Sequence, residues 1–321
     1  MRALVAAVVA CLALPAAAQD KPEEVLSAIV GVQAKIQPDA RSAATLGSNR
    51  QGSGVLIREG LVLTIGYLVI EAEAIQVTNG EGRTVPATLA GYDHASGFGL
   101  LRLAAPLAGK PIALGDAAAL EERDQAIVAN ATANPSLVHV VSRRLFTGNW
   151  EYLLDAAIFT APPVRDWSGA ALIGARGELL GIGSLIVPDA GSPGTQSPGN
   201  MFVPVDLLKP ILEDLVVKGR RGGPVRPWLG LNAEALMGRL FVARVSPGGP
   251  AERAGLKAGD IVIAVGAEQV TTLADFYRKL WARGAAGTQV PLKVLQGMEI
   301  NDVPVRSMDR LEYFRPAKTI K

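Results

Sequence analysis

The chain has 321 residues, 49% of them apolar, enough for about two ordinary domains with cores of their own. Its formal charge of +2 is small and its acidic and basic residues are interspersed, which argues against a nucleic-acid binder. Aromatic residues make up 5%, whereas 35 glycines and 21 prolines punctuate runs of Val, Leu and Ile, the texture of short strands joined by turns.

The opening stretch, "MRALVAAVVACLALPAAAQD", carries one Arg, an apolar run from Ala3 to Leu14, and small residues at Ala16 and Ala18. That is the layout of a cleaved secretory signal over 1–18, and the run is too short to span a bilayer. A second processing site is "VVAC", which resembles a bacterial lipobox with Cys11 as the lipidated residue. Cleavage after Ala18 leaves no cysteine, so neither disulfides nor thiolate chemistry are expected. The two histidines, His94 and His139, lack the i, i+4 spacing of a helical zinc site, and neither a metal nor another cofactor is expected.

A polar lead-in over 19–45 gives way to strands: "GSGVLI", "GLVLTI", "AIQVTN", "RTVPATLAGY" and "FGLLRL", then "QAIVAN", "LVHVVSRRL", "DAAIFTA", "GAALIG", "LLGIGSLI" and "GNMFVPV". Each is short, rich in β-formers and bounded by turn residues, so hairpins and antiparallel sheet are expected. Two such clusters predict two small barrels side by side over 46–217, not a β/α alternation. The segment 205–219, "VDLLKPILEDLVVKG", has helical spacing with Gly219 as its stop. Residues 218–226, dense in Arg, Gly and Pro, read as a solvated hinge. A second β-rich module follows over 227–315, giving a mostly β chain with an α+β unit at its end.

The last module resembles a PDZ domain of the HtrA/Deg protease type. "RPWLGL", with Trp228, Leu229, Gly230 and Leu231, is similar to the loop that holds a peptide carboxylate, and "TLADFYRKLWA", with Phe276, resembles the helix beside the peptide groove. Gly230 would let backbone N–H groups approach a carboxylate, and an exposed strand edge would let a peptide add as one more strand. The barrels before it resemble the chymotrypsin-like domain of the same family, through "GSGVLIREGLVLT", "GYDHASGFGLLRL" and "GNMFVPVDLLKPIL".

Of the family's catalytic triad, two members are replaced and the third is kept in altered surroundings. "TIGYLV" puts Tyr67 at the position of the general base, and a phenol with a pKa of about 10 is a poor base at neutral pH. "GFGLLRL" puts Gly97 where an Asp should orient that base. "RDWSGAAL" keeps Ser168 at the nucleophile position, but Asp166 and Trp167 replace the Gly-Asn of the oxyanion turn, and a carboxylate pointing inward would oppose the developing charge. His94 reads as a solvated turn residue and His139 as a partly buried strand residue, neither placed to reach Ser168. Loss of base or nucleophile in such a triad removes on the order of a millionfold in rate, about 8 kcal/mol.

The resemblance therefore implies a periplasmic or secreted pseudoprotease that binds peptide or protein C-termini, with a partner protease or envelope protein as a further partner. Two alternatives stand beside it. One is an active endopeptidase of envelope quality control using an atypical base. The other is an adaptor that never uses the peptide groove.

Overall fold

The computed structural model describes residues 21–314; the expected signal segment 1–18 and Cys11 lie outside the described residues. Short helices α1 (Pro22–Leu26) and α2 (Ala43–Leu46) bracket a strand, β1 (Ile29–Ile36), inside what the sequence reads as a polar lead-in. Val32, Ala34 and Ile36 are buried while Gln33 and Lys35 are exposed, the period-2 pattern of a half-buried strand. The strand pairs with two neighbours and so closes the first barrel.

That barrel continues through β2 (Asn49–Arg58), β3 (Leu61–Ile65), β4 (Ala72–Thr78), β5 (Thr84–Tyr92) and β6 (Phe98–Leu103). Its closed order is β1, β2, β3, β6, β5, β4. The second barrel uses β7 (Gln125–Ala129), β8 (Ser136–Gly148), β9 (Tyr152–Ala161), β10 (Ala171–Ile173), β11 (Leu179–Val187) and β12 (Gly199–Pro204). It closes in the order β10, β11, β12, β9, β8, β7, so the expected pair of barrels is present. Val55, Leu63, Phe98 and Leu100 fill the first, and Ile158, Leu172 and Phe202 the second.

The expected helix over 205–219 is divided. Val205–Leu207 forms one 3-10 turn, and α3 (Leu212–Lys218) begins only beyond Pro210, which has no N–H to continue the ladder. Gly219 ends α3 in the left-handed conformation, φ 72°, as its position suggests.

The C-terminal sheet holds β13 (Leu231–Leu236), β14 (Arg239–Val245), β15 (Ile261–Val265), β17 (Gln289–Gln296) and β18 (Glu299–Arg306), in that order, with β16 (Glu268–Gln269) paired to β15. Helices α4 (Pro250–Arg253) and α5 (Leu273–Trp281) pack on it, and α6 (Arg310–Tyr313) sets Tyr313 against Trp228. Leu229, Val262, Phe276 and Leu280 form part of its core.

One hairpin leaves its barrel. β7 pairs with β8 only as far as His139, and β12 pairs with β9 only from Ile158 onward, so beyond these points β8 and β9 continue as a two-stranded ribbon. Alternation decides what each face meets. Tyr152 and Leu154 pack into the barrel core, whereas Leu153 joins the core of the C-terminal module. Burying such a leucine stabilises the contact by about 2 kcal/mol.

The expected solvated hinge is instead bonded at both sides. Arg221 makes two hydrogen bonds of 3.0 Å to the buried Asp93 carboxylate, Arg220 lies 2.8 Å from Asp309, and the Arg226 guanidinium stands 4.1 Å above the Trp281 ring. The arginines that suggested hydration each find a planar or anionic partner, a use for which the guanidinium is well shaped. No helix among the described residues is long and apolar enough to cross a membrane.

Candidate functional site

Ser168 sits in a turn trapped between the barrels. Its carbonyl accepts from Ser53 N at 2.8 Å, and Gly169 N donates to Gly183 O at 2.9 Å. Gly169 takes φ 74°, and a Cβ there would run into the Ser53 carbonyl, so the residue after Ser168 must be glycine.

Tyr67 lies on the 3-10 turn Gly66–Leu68 that follows β3. Arg50, itself buried, fixes this turn: its Nη1 donates to Tyr67 O at 2.7 Å and Ile70 O at 3.1 Å, while Nη2 donates to Ser42 Oγ at 2.7 Å. The phenol is thereby aimed at Ser168, with Tyr67 Oη 2.8 Å from Ser168 Oγ. The same Oη donates to Ser184 O at 2.8 Å, a carbonyl taken out of the β11–β12 ladder by the irregularity between Gly183 and Leu185. A phenol has one proton. With that proton on the Ser184 carbonyl, Ser168 must be the donor to Tyr67.

Burial pushes the Tyr67 phenol up to about 12, only partly offset by its hydrogen bonds to Ser168 and Trp167. At pH 7 its phenolate fraction is on the order of one in 10⁵. As a neutral phenol donating to Ser184, Tyr67 receives its hydrogen bond from Ser168. Among the described residues, Ser168 Oγ has no other side-chain partner.

Gly97 supplies no side chain, and the space beside it is taken. It holds φ 83°, its carbonyl accepts from Gly66 N at 2.7 Å, and a Cβ would stand 3.2 Å from Tyr152 Oη. Tyr152, from the ribbon, donates to Ser96 O at 2.5 Å. Asp166 is exposed and accepts from Thr132 Oγ1 at 2.8 Å, while Trp167 is half-buried. An open cleft of about 610 Å³ runs past Ser168, Trp167, Asp166, Gly52 and Asn130.

The histidines differ from expectation. His94 is not a solvated turn residue: its ring lies 4.5 Å from Tyr92 and 5.7 Å from Phe314, and burial, with Arg310 and Arg220 nearby, holds its pKa well below 6.5. His139 is exposed on β8, not partly buried. Neither hydrogen-bonds to Ser168. No cluster of metal-ligating side chains occurs among the described residues.

The second constellation lies in the C-terminal module. Gly230, at φ 79°, bends the loop so that three successive N–H groups point to one spot. That spot holds the carboxylate of Glu151, from the turn between β8 and β9. Gly230 N reaches Glu151 Oε1 at 2.7 Å, Leu231 N the same oxygen at 2.9 Å, and Leu229 N bonds Oε2 at 3.1 Å. The edge of β13, expected to be exposed, is also met there: Ala233 N donates to Asn149 O at 3.1 Å. The ribbon reaches that edge because its last residues have no third strand of their own.

From the helix side, Tyr277 Oη donates to Gly148 O at 2.7 Å and accepts from Glu151 N at 3.2 Å. Burial, the largest influence, lifts the Glu151 carboxyl to about 7, against the lowering effects of the three N–H groups and Arg310. Trp228 is buried with its ring 4.6 Å from Tyr313, and Leu229, Leu231 and Phe276 are buried in the module's core. Glu151, Leu153 and Tyr277 were not singled out from sequence. "GNWEY" between two strand runs offered one signal, a turn whose last residue is neither Gly nor Asn.

The trypsin-like peptidase domain family matches residues 52–182, and the PDZ domain family matches 241–296. The chain is similar to a probable periplasmic serine protease do/HhoA-like of Haemophilus influenzae, at 32% identity over 273 residues, covering 79% of this chain and 57% of that one. It is similar also to the periplasmic pH-dependent serine endoprotease DegQ of Escherichia coli, at 28% identity, covering 79% of this chain and 58% of the relative. The chain thus spans somewhat over half the length of these curated relatives. Among solved structures, the HtrA-type protease AlgW with decapeptide superposes at a TM-score of 0.55 and 20% identity, covering 92% of this chain and 97% of that one. That last likeness is one of fold.

Proposed function

Starting from the premise that this chain belongs to the HtrA/Deg family of trypsin-like, PDZ-containing proteins, we propose that it is a non-catalytic member that captures protein C-termini. It works in the periplasm or outside the cell, the former being the compartment named for its relatives. Residues 1–18 are its secretory signal.

The observation that carries the reading is the chain of hydrogen bonds from Ser168 to Tyr67 to the Ser184 carbonyl. A serine hydroxyl attacks a carbonyl only when a base accepts its proton, and a neutral phenol already donating elsewhere is not that base. Gly97 offers no carboxylate to orient or charge a replacement. The cleft beside Ser168 remains open, so an unfolded segment can lodge there without being cut.

Binding falls to the loop Trp228–Leu231. Three convergent N–H groups are a receptor for one carboxylate, and an extended chain entering along β13 would present its terminal carboxylate there.

The test compares wild type with Ser168→Ala in casein digestion and in peptide capture. Equal, background-level digestion by both, with retention of free-acid peptides, supports the reading. Turnover by wild type that disappears in Ser168→Ala would establish an endopeptidase instead.

A further inference from the structure

We propose that the tip of the β8–β9 ribbon is a built-in ligand of the PDZ groove, with Glu151 standing in for a peptide's terminal carboxylate. In this resting form a partner's C-terminus enters only by displacing the ribbon. The inference rests on the carboxylate-receptor reading above and adds how that receptor is regulated.

The ribbon tip satisfies each requirement of an added peptide. Its backbone extends the sheet edge, through Ala233 N to Asn149 O at 3.1 Å. Its carboxylate takes all three loop N–H groups. Its apolar anchor, Leu153, is buried with Leu229, Leu231 and Tyr277. On the far side Tyr277 grips the ribbon at both Gly148 O and Glu151 N. One segment thus makes the main-chain, carboxylate and side-chain contacts by which β-strand addition recognises a ligand.

The turn itself points the same way. Asn149, Trp150 and Glu151 form a three-residue hairpin loop, whose last position is left-handed and suits Gly or Asn. Here that position is Glu151 at φ 58°, an unfavourable backbone state for a glutamate. The conformation is held because it delivers the carboxylate to the Gly230 loop. Tyr152, the residue next to Glu151 at the same tip, has its hydroxyl against the Gly97 position. Displacing the tip would therefore disturb the wall of the former catalytic site.

The full chain is titrated with a fluorescent decapeptide pool, randomised at its last four residues, as free acids and as C-terminal amides. Hydrogen exchange of the Leu229, Gly230, Leu231 and Ala233 amides is followed in parallel. Two variants are compared with wild type: Glu151→Ala, which removes the carboxylate, and Tyr277→Phe, which leaves it but releases the grip. We expect the four amides to lose protection in both variants while the sheet centre at Val262 and Val294 keeps it. Free-acid binding should tighten by on the order of tenfold or more, because a groove open only part of the time weakens apparent affinity by that fraction.

Unchanged protection and equal affinity in all three proteins would overturn the latch while leaving C-terminus capture intact. Deprotected amides with no binding of either pool would uphold the latch and instead refute C-terminus capture.

Discussion

Raising the pH from 5 to 8 should loosen the ribbon from the PDZ loop. The buried Glu151 carboxyl titrates at about 7 against an ordinary 4.5. Between those values the docked form holds a proton that the undocked, solvated form has already lost. Docking is therefore strongest at and below the lower value, weakens as pH rises through the window, and reaches a lower plateau above about 7. The raised carboxyl therefore makes the docking equilibrium weaken by about one to two orders of magnitude between pH 5 and 8.

Other ionisable groups face this carboxyl and must be separated from it. Arg310 on α6 lowers its pKa, Tyr277 on α5 stays neutral with its own pKa raised by burial, and Asp93, His94, Arg220, Arg221, Arg226 and Asp309 line the adjoining cavity. His94 acts in the opposite sense, because its depressed pKa favours the folded form as pH rises toward 6.5. The assay is therefore a difference: protection factors at Leu229, Gly230 and Leu231, corrected for intrinsic exchange, in wild type and Glu151→Gln. Wild type should lose on the order of tenfold or more relative to the variant. Parallel profiles, or protection that grows with pH in wild type alone, would mean that the Glu151 proton does not govern docking.

Restoring the missing triad residues should not restore proteolysis. In Tyr67→His with Gly97→Asp, the new carboxylate must occupy a left-handed backbone position with its Cβ 3.2 Å from Tyr152 Oη. Casein turnover should stay at background, and recovery within two orders of magnitude of an active relative would show that the site is less remodelled than argued. Arg221→Ala should destabilise the folded chain by about 1–3 kcal/mol, less than a fully buried pair because Arg221 is partly exposed and Asp93 keeps Ser96 as a partner. Urea denaturation measures this, and an unchanged midpoint would mean the linker arginines do not join the domains.

Most of the fold was legible because strand periodicity and turn residues are local. β1 was missed: its alternation of buried Val32, Ala34 and Ile36 lay inside a segment whose polar residues suggested a lead-in. The break before α3 was missed, the helical spacing across Pro210 having suggested one helix over 205–219. Around Ser168, residue identity alone flagged Tyr67 and Gly97. What it could not give was proton direction, which depends on the Ser184 carbonyl 117 positions away. Glu151 was invisible for a similar reason. A glutamate in a hairpin turn reads as solvated until the ribbon is known to outrun its barrel and meet a loop 78 to 80 residues later. His94 misled because its surroundings are tertiary, Tyr92 and Phe314 flanking its ring, while His139 misled in the other sense, standing exposed on β8.

Intact-mass analysis after exposure to a fluorophosphonate tests the central claim, that Ser168 is no longer a nucleophile. Wild type and Ser168→Ala are each expected to keep their own unmodified mass. A stoichiometric adduct on wild type, mapped to Ser168 and absent from Ser168→Ala, would contradict it.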